Sequence, residues 1–375
     1  MYPKNLNIRL ISLDIFRGIT VAAMILVNNP GDWGHVYAPL KHAEWNGLTP
    51  TDIIFPFFLF IVGISIVLTF YAPKTMVSHN LLLVKILKRS AILIGLGLFL
   101  NLFPSFDFSH VRIPGVLQRI GIVYMVCAIL FLKTSRHTQF FLFWCILIIY
   151  YIVMFYVPVP NYGTANVEVE TNLAAWLDRL IITPNHTWKQ TVTWDPEGVL
   201  STLPAIATGI FGIIMGYILK ETPKYNGITA LRMIYHGVMA VIIGLCFSYF
   251  FPINKSLWSS SYVLVTGGLA TIIFSLIYFW FDVKSHKNYV NLFLVFSKNA
   301  ITVFFGSAII AKLFNIKWIS INGKLIGIKQ WLYQLFFVNF IKNPYLASLL
   351  GALTFVIIWY VILWLLAKLN IKISV

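Results

Sequence analysis

The stretch His42-Ala43-Glu44-Trp45-Asn46-Gly47-Leu48-Thr49-Pro50-Thr51-Asp52 is a polar insert between two long apolar runs. It places one imidazole, two carboxylates, an amide and an indole within eleven residues, next to segments suited to a lipid bilayer. Ionisable groups at membrane depth are costly unless they are paired or used. We therefore interpret the insert as the functional centre and the flanking runs as membrane-spanning helices.

Composition extends this interpretation to the whole chain. Of its 375 residues, 59% are hydrophobic and 11% are charged, whereas soluble domains are about 45–50% apolar and about 25% charged. The fold class is therefore all-α, a polytopic membrane bundle forming a single domain over residues 1–375. A spanning helix needs about 20 mainly apolar residues. That rule predicts ten spans, near 10–28, 51–71, 81–103, 114–133, 138–157, 199–219, 228–251, 258–281, 289–314 and 345–368.

Two of these regions carry qualifications. The first run contains Asp14 and Arg17 and is followed by no small-residue cleavage site, so we expect it to be retained rather than removed as a signal peptide. The ninth run is interrupted by Ser297-Lys298-Asn299, which indicates a helix end. The segment 327–340, rich in aromatic residues, is typical of an amphipathic surface helix or a re-entrant piece.

Lysine and arginine exceed the acids by 16. Most of these cations lie in short connections, where they set the orientation of the protein and contact anionic lipid, so a nucleic-acid partner is not needed to explain the charge. The positive-inside rule predicts cytoplasmic amino and carboxyl termini and places the acidic loop 158–198, between the fifth and sixth spans, on the external side. The loop 315–344 does not obey this rule, because the count of spans places it on the external side although it contains several lysines. The orienting cations are Lys4 and Arg9, then Lys74, Lys85, Lys88 and Arg89, then Lys133, Arg136 and His137, then Lys220 and Lys224, and finally Lys284 and Lys287.

The cysteines predict no special chemistry. Cys127, Cys145 and Cys246 all lie in apolar runs without a CxxC pair or a histidine at ligand spacing. We expect buried thiols, with no disulfide and no metal site.

The first candidate site is the pair Asp14 and Arg17, spaced i, i+3 on one face of the first span. Either the two neutralise each other and fix helix packing, or they contact an anionic ligand near the cytoplasmic side.

The second candidate site is His42 with its polar neighbours Glu44, Asn46 and Asp52. A histidine beside a carboxylate is the usual general base or nucleophile, although a single interfacial histidine is more often an ordinary surface residue. Asp52 has a competing role, because Thr49-Pro50-Thr51-Asp52 also predicts a helix start with Thr49 as the N-cap. Asn28, at the end of the first span, either satisfies a free carbonyl group or belongs to the site.

Further polar groups open later spans. A buried arginine demands an acidic or phosphate partner, so Arg119, with Gln118, contacts either a ligand or the carboxylates Asp195 and Glu197 in a salt bridge between loops. Asn254 and Lys255 begin a turn that could offer hydrogen bonds to a polyol, whereas Trp258 and Tyr262 fit an interfacial aromatic belt.

Together these motifs resemble the heparan-α-glucosaminide N-acetyltransferase family of multispanning acyltransferases, in a short bacterial form. The resemblance covers most of the chain, in order. It is carried by Ser12-Leu13-Asp14-Ile15-Phe16-Arg17-Gly18, Val27-Asn28, His42 to Thr49, Asp52-Ile53-Ile54-Phe55-Pro56-Phe57, Arg112 to Arg119, Asp195-Pro196-Glu197-Gly198 and Asn254-Lys255-Ser256-Leu257-Trp258.

The resemblance implies transfer of an acetyl group from cytoplasmic acetyl-CoA, as co-substrate, to the amine of a glucosamine-type sugar on the external side. It implies His42 as the active-site residue with Asn28 beside it, a homodimer, and an integral protein of the bacterial inner membrane. We expect donor contacts from Asp14, Arg17, Gln118 and Arg119. Acceptor contacts are expected from Glu44, Trp45, Asn46, Asp52, Asp195, Glu197, Asn254 and Lys255.

Two other functions use the same residues. In an amino-sugar permease the polar groups would line a pathway and no bond would form, but we find no internal repeat of the kind common in secondary transporters. In an O-acetyltransferase of surface glycans, a hydroxyl would replace the amine as acceptor. His42 could serve as a general base in direct transfer, or as a nucleophile that carries the acetyl group; we favour direct transfer, since no second nucleophile is evident.

Overall fold

The computed structural model describes residues 10–222, 225–286, 288, 290–321 and 324–369, and within them the chain is mainly helical. Helices form where the sequence offers long apolar runs bounded by polar or Pro/Gly-containing connections. The helices are α1 Ile11–Asn28, α2 Ile54–Phe70, α3 Pro73–Met76, α4 His79–Leu102, α5 Val116–Lys133, α6 Arg136–Tyr156, α7 Leu173–Ile181, α8 Thr202–Glu221, α9 Gly227–Phe247, α10 Ser260–Tyr278, α11 Val290–Lys298, α12 Ala300–Asn315, α13 Ile328–Tyr333 and α14 Pro344–Lys368.

Each of the ten apolar runs identified in the sequence is helical in the structure. Among the described residues, seven helices are long and apolar enough to cross a membrane. The α11–α12 pair would make eight if it counts as one span, but it bends by 74° at the interruption that the sequence predicted. Two of the ten runs fall short of a full span by these criteria, because α2 has only 17 residues and α4 contains Lys85, Lys88 and Arg89.

The region after α12 differs from the expectation of helices alone. Strands β1 Lys317–Ile321 and β2 Lys324–Gly327 form an antiparallel hairpin, in which Ile319 pairs with Ile326. Trp318, Ile319 and Ile321 of β1 are aromatic or β-branched residues, which favour strands. The hairpin leads into α13 and a π-helical turn over Gln334–Val338, within the segment expected to be a surface or re-entrant helix.

The centre of the bundle is α8, whose apolar stretch is 78% buried, against 17% for α14 and 28% for both α6 and α9. It crosses α2 with almost no side chain between the two backbones. A Cβ atom at Gly63 would lie 2.1 Å from the carbonyl oxygen of Gly209, and one at Gly212 would lie 2.2 Å from that of Phe60. Glycine at these positions is therefore what permits the close crossing.

The start of α1 is fixed by a residue from the far end of the chain. Leu10, at the N-cap, has no side chain able to accept the free N–H groups of the first turn. The Asp282 carboxylate accepts them instead, from Ile11 at 3.1 Å and from Ser12 at 3.0 Å. Asp282 lies in the π-helical turn Phe279–Val283 that follows α10, so this contact joins α1 to α10.

Four connections meet at one end of the bundle: 29–53, 103–115, 157–201 and 248–259. The third, which contains the predicted external loop 158–198, carries α7, whose N-cap Asn172 accepts from the Ala175 N–H. It contacts the second connection where Ile113 donates its N–H to the His186 carbonyl oxygen at 2.9 Å. Residues 1–9 and 370–375 lie outside the described residues, as do Lys4, Arg9, Lys224 and Lys287, which entered the orientation prediction.

Candidate active site

The four connections that meet at one end bring the central polar residues of the sequence into one cluster. The turn before α2 presents His42, and its carboxylate partner Asp52 lies ten residues later in the same turn. The turn before α10 contributes Lys255. The turns before α5 and α8 provide an ionic clamp beside them.

His42 and Asp52 form a hydrogen-bonded dyad, with the imidazole Nδ1 2.7 Å from Asp52 Oδ1. The Asp52 side chain is almost fully buried at 1% exposure, whereas the His42 side chain is 52% exposed. Asp52 Oδ2 also accepts the N–H groups of Ala43 and Thr49 and the Thr49 hydroxyl. The dyad thus has a fixed buried acceptor and an accessible imidazole.

The protonation of the dyad follows from these contacts. Burial by itself would raise the pKa of Asp52, but the hydrogen bonds from His42, Ala43 and Thr49 and the charge of Lys255 hold this pKa below its ordinary value. An ionised carboxylate can only accept, so His42 Nδ1 carries the proton that is shared with Asp52. With the proton on Nδ1, Nε2 is the ring nitrogen whose lone pair can accept a proton, as a general base must.

Lys255 lies against the imidazole ring. Its Nζ is within hydrogen-bond distance of both ring nitrogens, 3.0 Å from Nδ1 and 3.2 Å from Nε2, and it is 3.7 Å from Asp52 Oδ1. Burial lowers the pKa of Lys255, and the nearby Asp52 and Glu197 charges partly oppose this shift. The dyad and the lysine form a compact group of three titratable side chains.

Two aromatic residues, one in α10 and one in the turn before it, pack beneath this group. The Tyr262 hydroxyl donates to the backbone carbonyl oxygen of Asp52 at 2.6 Å. Trp258 packs edge-on against Tyr262 with ring centroids 5.2 Å apart and donates its indole N–H to Thr208 Oγ1 on α8. Both rings are fully buried, so the interfacial role predicted from the sequence is wrong. They were predicted as belt residues because the sequence does not show whether a Trp or Tyr at the start of a span faces the lipid or the protein core.

Arg119 is a core residue rather than part of an open pocket. Its guanidinium lies 5.1 Å from the Trp258 ring, and its Nη2 donates to the Gly198 carbonyl oxygen and to Ser201 Oγ. Gln118 donates from Nε2 to the Ile113 carbonyl oxygen at 3.1 Å. Both side chains, predicted as donor contacts, are thus engaged within the protein.

Arg112 clamps the loop before α8. It forms a bidentate pair with Asp195, with Nε–Oδ2 at 2.8 Å and Nη2–Oδ1 at 2.6 Å, and Nη2 also reaches Glu197 Oε2 at 2.5 Å. The two acids favour the charged guanidinium and raise the pKa of Arg112, while Arg112 and its neighbours outweigh burial and lower the pKa of Glu197. Of the two alternatives drawn from the sequence, the structure forms the salt bridge between loops, with Arg112 rather than Arg119 as the cation.

The other predicted acceptor contacts divide into two sets. Trp45 donates its indole N–H to the Val167 carbonyl oxygen and packs on Trp194, and Asn254 donates from Nδ2 to Asn46 Oδ1 at 3.1 Å. These residues join the turns to one another.

Glu44 and Asn46 are exposed beside His42. Asn28 is exposed at the end of α1, and no hydrogen bond joins it to His42 in the part of the chain that the structure describes.

A separate cavity of about 380 Å³ lies between α1, α2, α4, α5 and the α11–α12 break. Its polar wall contains Arg17, Arg89, Lys298 and Asn299. Arg17 pairs with Asp14 at 3.3 Å and donates to Ser65 Oγ at 3.1 Å. It therefore forms the predicted ion pair and also lines the cavity. Asp14, Gln118 and Arg119 do not line it.

Sequence reasoning missed Arg89 and Ser65 as members of this cavity. Arg89 was taken only as an orienting cation, although its position eleven residues into α4 was a usable signal of a charge within the bundle. Its guanidinium lies 5.0 Å from the Tyr124 ring, another cavity residue. Among the described residues, no group of three or more His, Cys, Asp or Glu side chains is arranged to hold a metal ion.

Comparison with known proteins agrees with this arrangement of motifs. Residues 9–245 match the model of the family described as heparan-alpha-glucosaminide N-acetyltransferase, catalytic. The heparan-alpha-glucosaminide N-acetyltransferase of Mus musculus is 30% identical over 367 residues, and that of Homo sapiens is 31% identical over 367 residues. Each match includes 83% of this chain, and it includes 55% of the mouse protein and 54% of the human one. The chain thus spans about half the length of these relatives.

Proposed function

The chain belongs to the heparan-alpha-glucosaminide N-acetyltransferase family, and on that premise we propose that it transfers an acetyl group from acetyl-CoA to the amine of a glucosamine-type sugar. The donor enters from the cytoplasm and the acceptor from the external side. The observation that carries this proposal is the His42–Asp52 dyad, a fixed carboxylate with an accessible imidazole at a loop-built end of the bundle.

In the proposed reaction, His42 is the general base. The amine nitrogen forms a bond to the acetyl carbonyl carbon while Nε2 takes a proton from the amine, and Asp52 stabilises the imidazolium that results. The carbon–sulfur bond then breaks, and the imidazolium returns the proton to the leaving thiolate. Asn28, exposed at the end of α1, is proposed to donate to the developing oxyanion, a contribution of about 3–4 kcal/mol for a well-placed donor.

The donor is proposed to use the cavity between α1, α2, α4 and α5. Acetyl-CoA is long and anionic, and this cavity combines an apolar wall with the cations Arg17, Arg89 and Lys298. Cations in a partly buried cleft attract phosphate groups strongly. Asp14 would act through Arg17, and Gln118 and Arg119 would act by holding the end of α5.

The acceptor is proposed to contact the exposed side chains around the imidazole, Glu44 and Asn46, together with Lys255. The remaining predicted contacts already have protein partners, and we propose that they shape the acceptor site by joining the turns. These supporting residues are Trp45, Asp52, Asp195, Glu197 and Asn254.

For this chain we propose a single domain of ten spans, with both ends of residues 1–375 in the cytoplasm and the loop 158–198 outside. The meeting of four connections at one end supports this, because the positive-inside rule assigns all four to the same side. A homodimer in the bacterial inner membrane completes the proposal.

The decisive experiment measures acetyl transfer by the purified protein from radiolabelled acetyl-CoA to glucosamine. His35 offers a matched control, because it forms a similar pair with Asp32, Nδ1 to Oδ2 at 2.6 Å, at the same end of the bundle. We expect His42→Ala to abolish transfer and His35→Ala to leave it in place. Undiminished turnover by His42→Ala would remove His42 from the chemistry.

The same assay separates the alternatives. Label retained on the protein without sugar would favour an acetyl-histidine intermediate over direct transfer. A sugar returned chemically unchanged after uptake into vesicles would favour a permease. Acetylation of hydroxyl acceptors in preference to amines would favour an O-acetyltransferase.

A further inference from the structure

A second, apolar groove lies on the other face of α1. It has a volume of about 270 Å³ and is lined almost entirely by apolar atoms. Phe16, Ile19 and Ala23 of α1 form one wall, Phe57 of α2 contributes to the other, and Leu40 and Pro50 border its outer end. Ile19 is 37% exposed, so the groove is open along the side of the bundle.

The outer end of this groove is bordered by the neighbours of the proposed reaction centre. Three wall residues are close in the chain to residues of the proposed centre. Val27 directly precedes Asn28, Thr51 directly precedes Asp52, and Leu40 is two residues before His42. The Thr51 hydroxyl donates to the Pro39 carbonyl oxygen at 3.1 Å, which ties the two turns of the outer end together. A molecule lying in the groove would therefore have its outer end at the turn that carries the imidazole.

An exposed lysine lies at the same outer end. Lys41 stands between the wall residue Leu40 and His42, whereas Lys255, 3.0 Å from the imidazole, is already paired with Asp52 at 3.7 Å. The groove itself offers almost no polar atoms along its length. An apolar channel that ends beside an exposed lysine fits an amphiphile whose hydrocarbon chain leads to an anionic group.

We propose that this groove binds the hydrocarbon chain of the acceptor, so that the substrate is an amino sugar anchored to the membrane through an anionic, phosphate-type link. This rests on the proposed acetyl transfer and names its acceptor class. From Phe16 to Val27 the wall rises eleven residues, about 16 Å at 1.5 Å per residue, so the chain lies at the depth of the outer leaflet. Lys41 takes the phosphate, and the amine is at His42.

The test compares two acceptors with the same polar head, glucosamine joined by a phosphodiester to a long alkyl chain or to a methyl group. The protein is held in phospholipid nanodiscs, and kcat/KM is measured for both. We expect the alkyl acceptor to be preferred. Ile19→Trp should lower the ratio of the two kcat/KM values by about tenfold, as expected if about two methylenes are excluded from the groove.

Two further variants control this result. Ile148→Trp makes the same change at an exposed isoleucine of α6, away from the groove, and should leave the ratio unchanged. Ala23→Leu narrows the groove with a smaller side chain and should lower the ratio in the same direction, which guards against misfolding of the tryptophan variant.

The outcomes distinguish this inference from the function on which it rests. Equal kcat/KM for the two acceptors, with glucosamine still acetylated, would overturn the lipid-anchored acceptor and leave the transferase intact. A groove variant that releases bound phospholipid and slows both acceptors alike would identify a site for bilayer lipid and also overturn the inference. Failure of the unaltered protein to acetylate any of the three amines would instead contradict the proposed function.

Discussion

At the scale of single residues, Asp52 determines what His42 can do. Four donors converge on its carboxylate: the His42 ring, the Thr49 hydroxyl and the N–H groups of Ala43 and Thr49. The turn before α2 is thus built around one buried charge. The imidazole is presented by that turn and not by a helix, so its orientation depends on this carboxylate.

Asp52→Asn tests this dependence. An amide cannot stabilise an imidazolium, and its NH2 group would face the Nδ1 proton, so the ring would turn or change tautomer. We expect acetyl transfer to fall by about 10²–10⁴-fold. The measurement is kcat/KM with glucosamine, and Asp32→Asn, in the matching pair with His35, provides the control. A fall of similar size in both variants would contradict a specific role for Asp52.

The sequence predicted part of this site. His42 and Asp52 are ten residues apart, so local reasoning could group them, although Asp52 was also interpreted as part of a helix start and as an acceptor contact. Contacts over 200 residues, such as Tyr262 with the Asp52 carbonyl oxygen, depend on how α10 packs against α2. The exposed orientation of Asn28 likewise depends on packing at the end of α1, which a sequence pattern does not encode.

At the scale of elements, the ionic clamp at Arg112 holds α5 to the loop before α8. Arg112→Ala would leave two buried acids, Asp195 and Glu197, without their cation. We expect the free energy of unfolding to fall by about 3–5 kcal/mol, the usual cost of an uncompensated buried charge. The thermal midpoint in detergent measures this. The exposed pair Arg136–Glu221 is the control, and Arg136→Ala should cost about 0–1 kcal/mol.

The same loop should respond to pH through Asp178, which accepts the N–H groups of Asp195 and Val199. Burial raises its pKa from 3.8 to about 6. Between these values the native state binds more protons than the unfolded state, so the free energy of unfolding decreases as the pH rises through this window. We expect the contribution of this carboxyl to be larger at pH 4 than at pH 7, by up to about 3 kcal/mol.

The measurement for Asp178 is the thermal midpoint from pH 4 to pH 7 for the unaltered protein and for Asp178→Asn, which does not titrate. The difference between the two pH profiles isolates this group from the other acids. Parallel profiles would contradict the prediction.

At the scale of the whole molecule, the α2–α8 crossing determines how closely the bundle packs. Gly63→Ala would put a Cβ atom 2.1 Å from a backbone oxygen, and a backbone cannot yield as a flexible side chain does. We expect a loss of about 1–3 kcal/mol or more, read from the thermal midpoint in detergent. Gly95→Ala is the control, since no atom lies within 4 Å of its Cβ position, and it should be neutral or stabilising. Equal midpoints for the two variants would contradict the close crossing.

The sequence predicted the architecture better than its details. All ten apolar runs are helical, and the break after Lys298 was visible because polar residues interrupt an apolar run. The short length of α2 was harder to predict, because Thr49 to Asp52 resembles a helix start. The Asp52 carboxylate is used instead by the dyad, and α2 begins at Ile54. The β1–β2 hairpin is short, and a short run of strand-forming residues between long helical segments does not by itself predict a strand.

The carboxylate of Asp282 at the start of α1 has a consequence for biosynthesis. Helix α1 obtains the acceptor for its leading N–H groups from a residue 271 and 270 positions downstream, so it leaves the ribosome long before its partner. A nascent chain that has entered the bilayer only as far as α9 therefore has α1 in place, but the N–H groups of Ile11 and Ser12 do not yet have the Asp282 carboxylate. We expect translation intermediates stopped before residue 282 to be cleaved by protease near residue 11, and those long enough for residue 282 to have left the ribosome to resist.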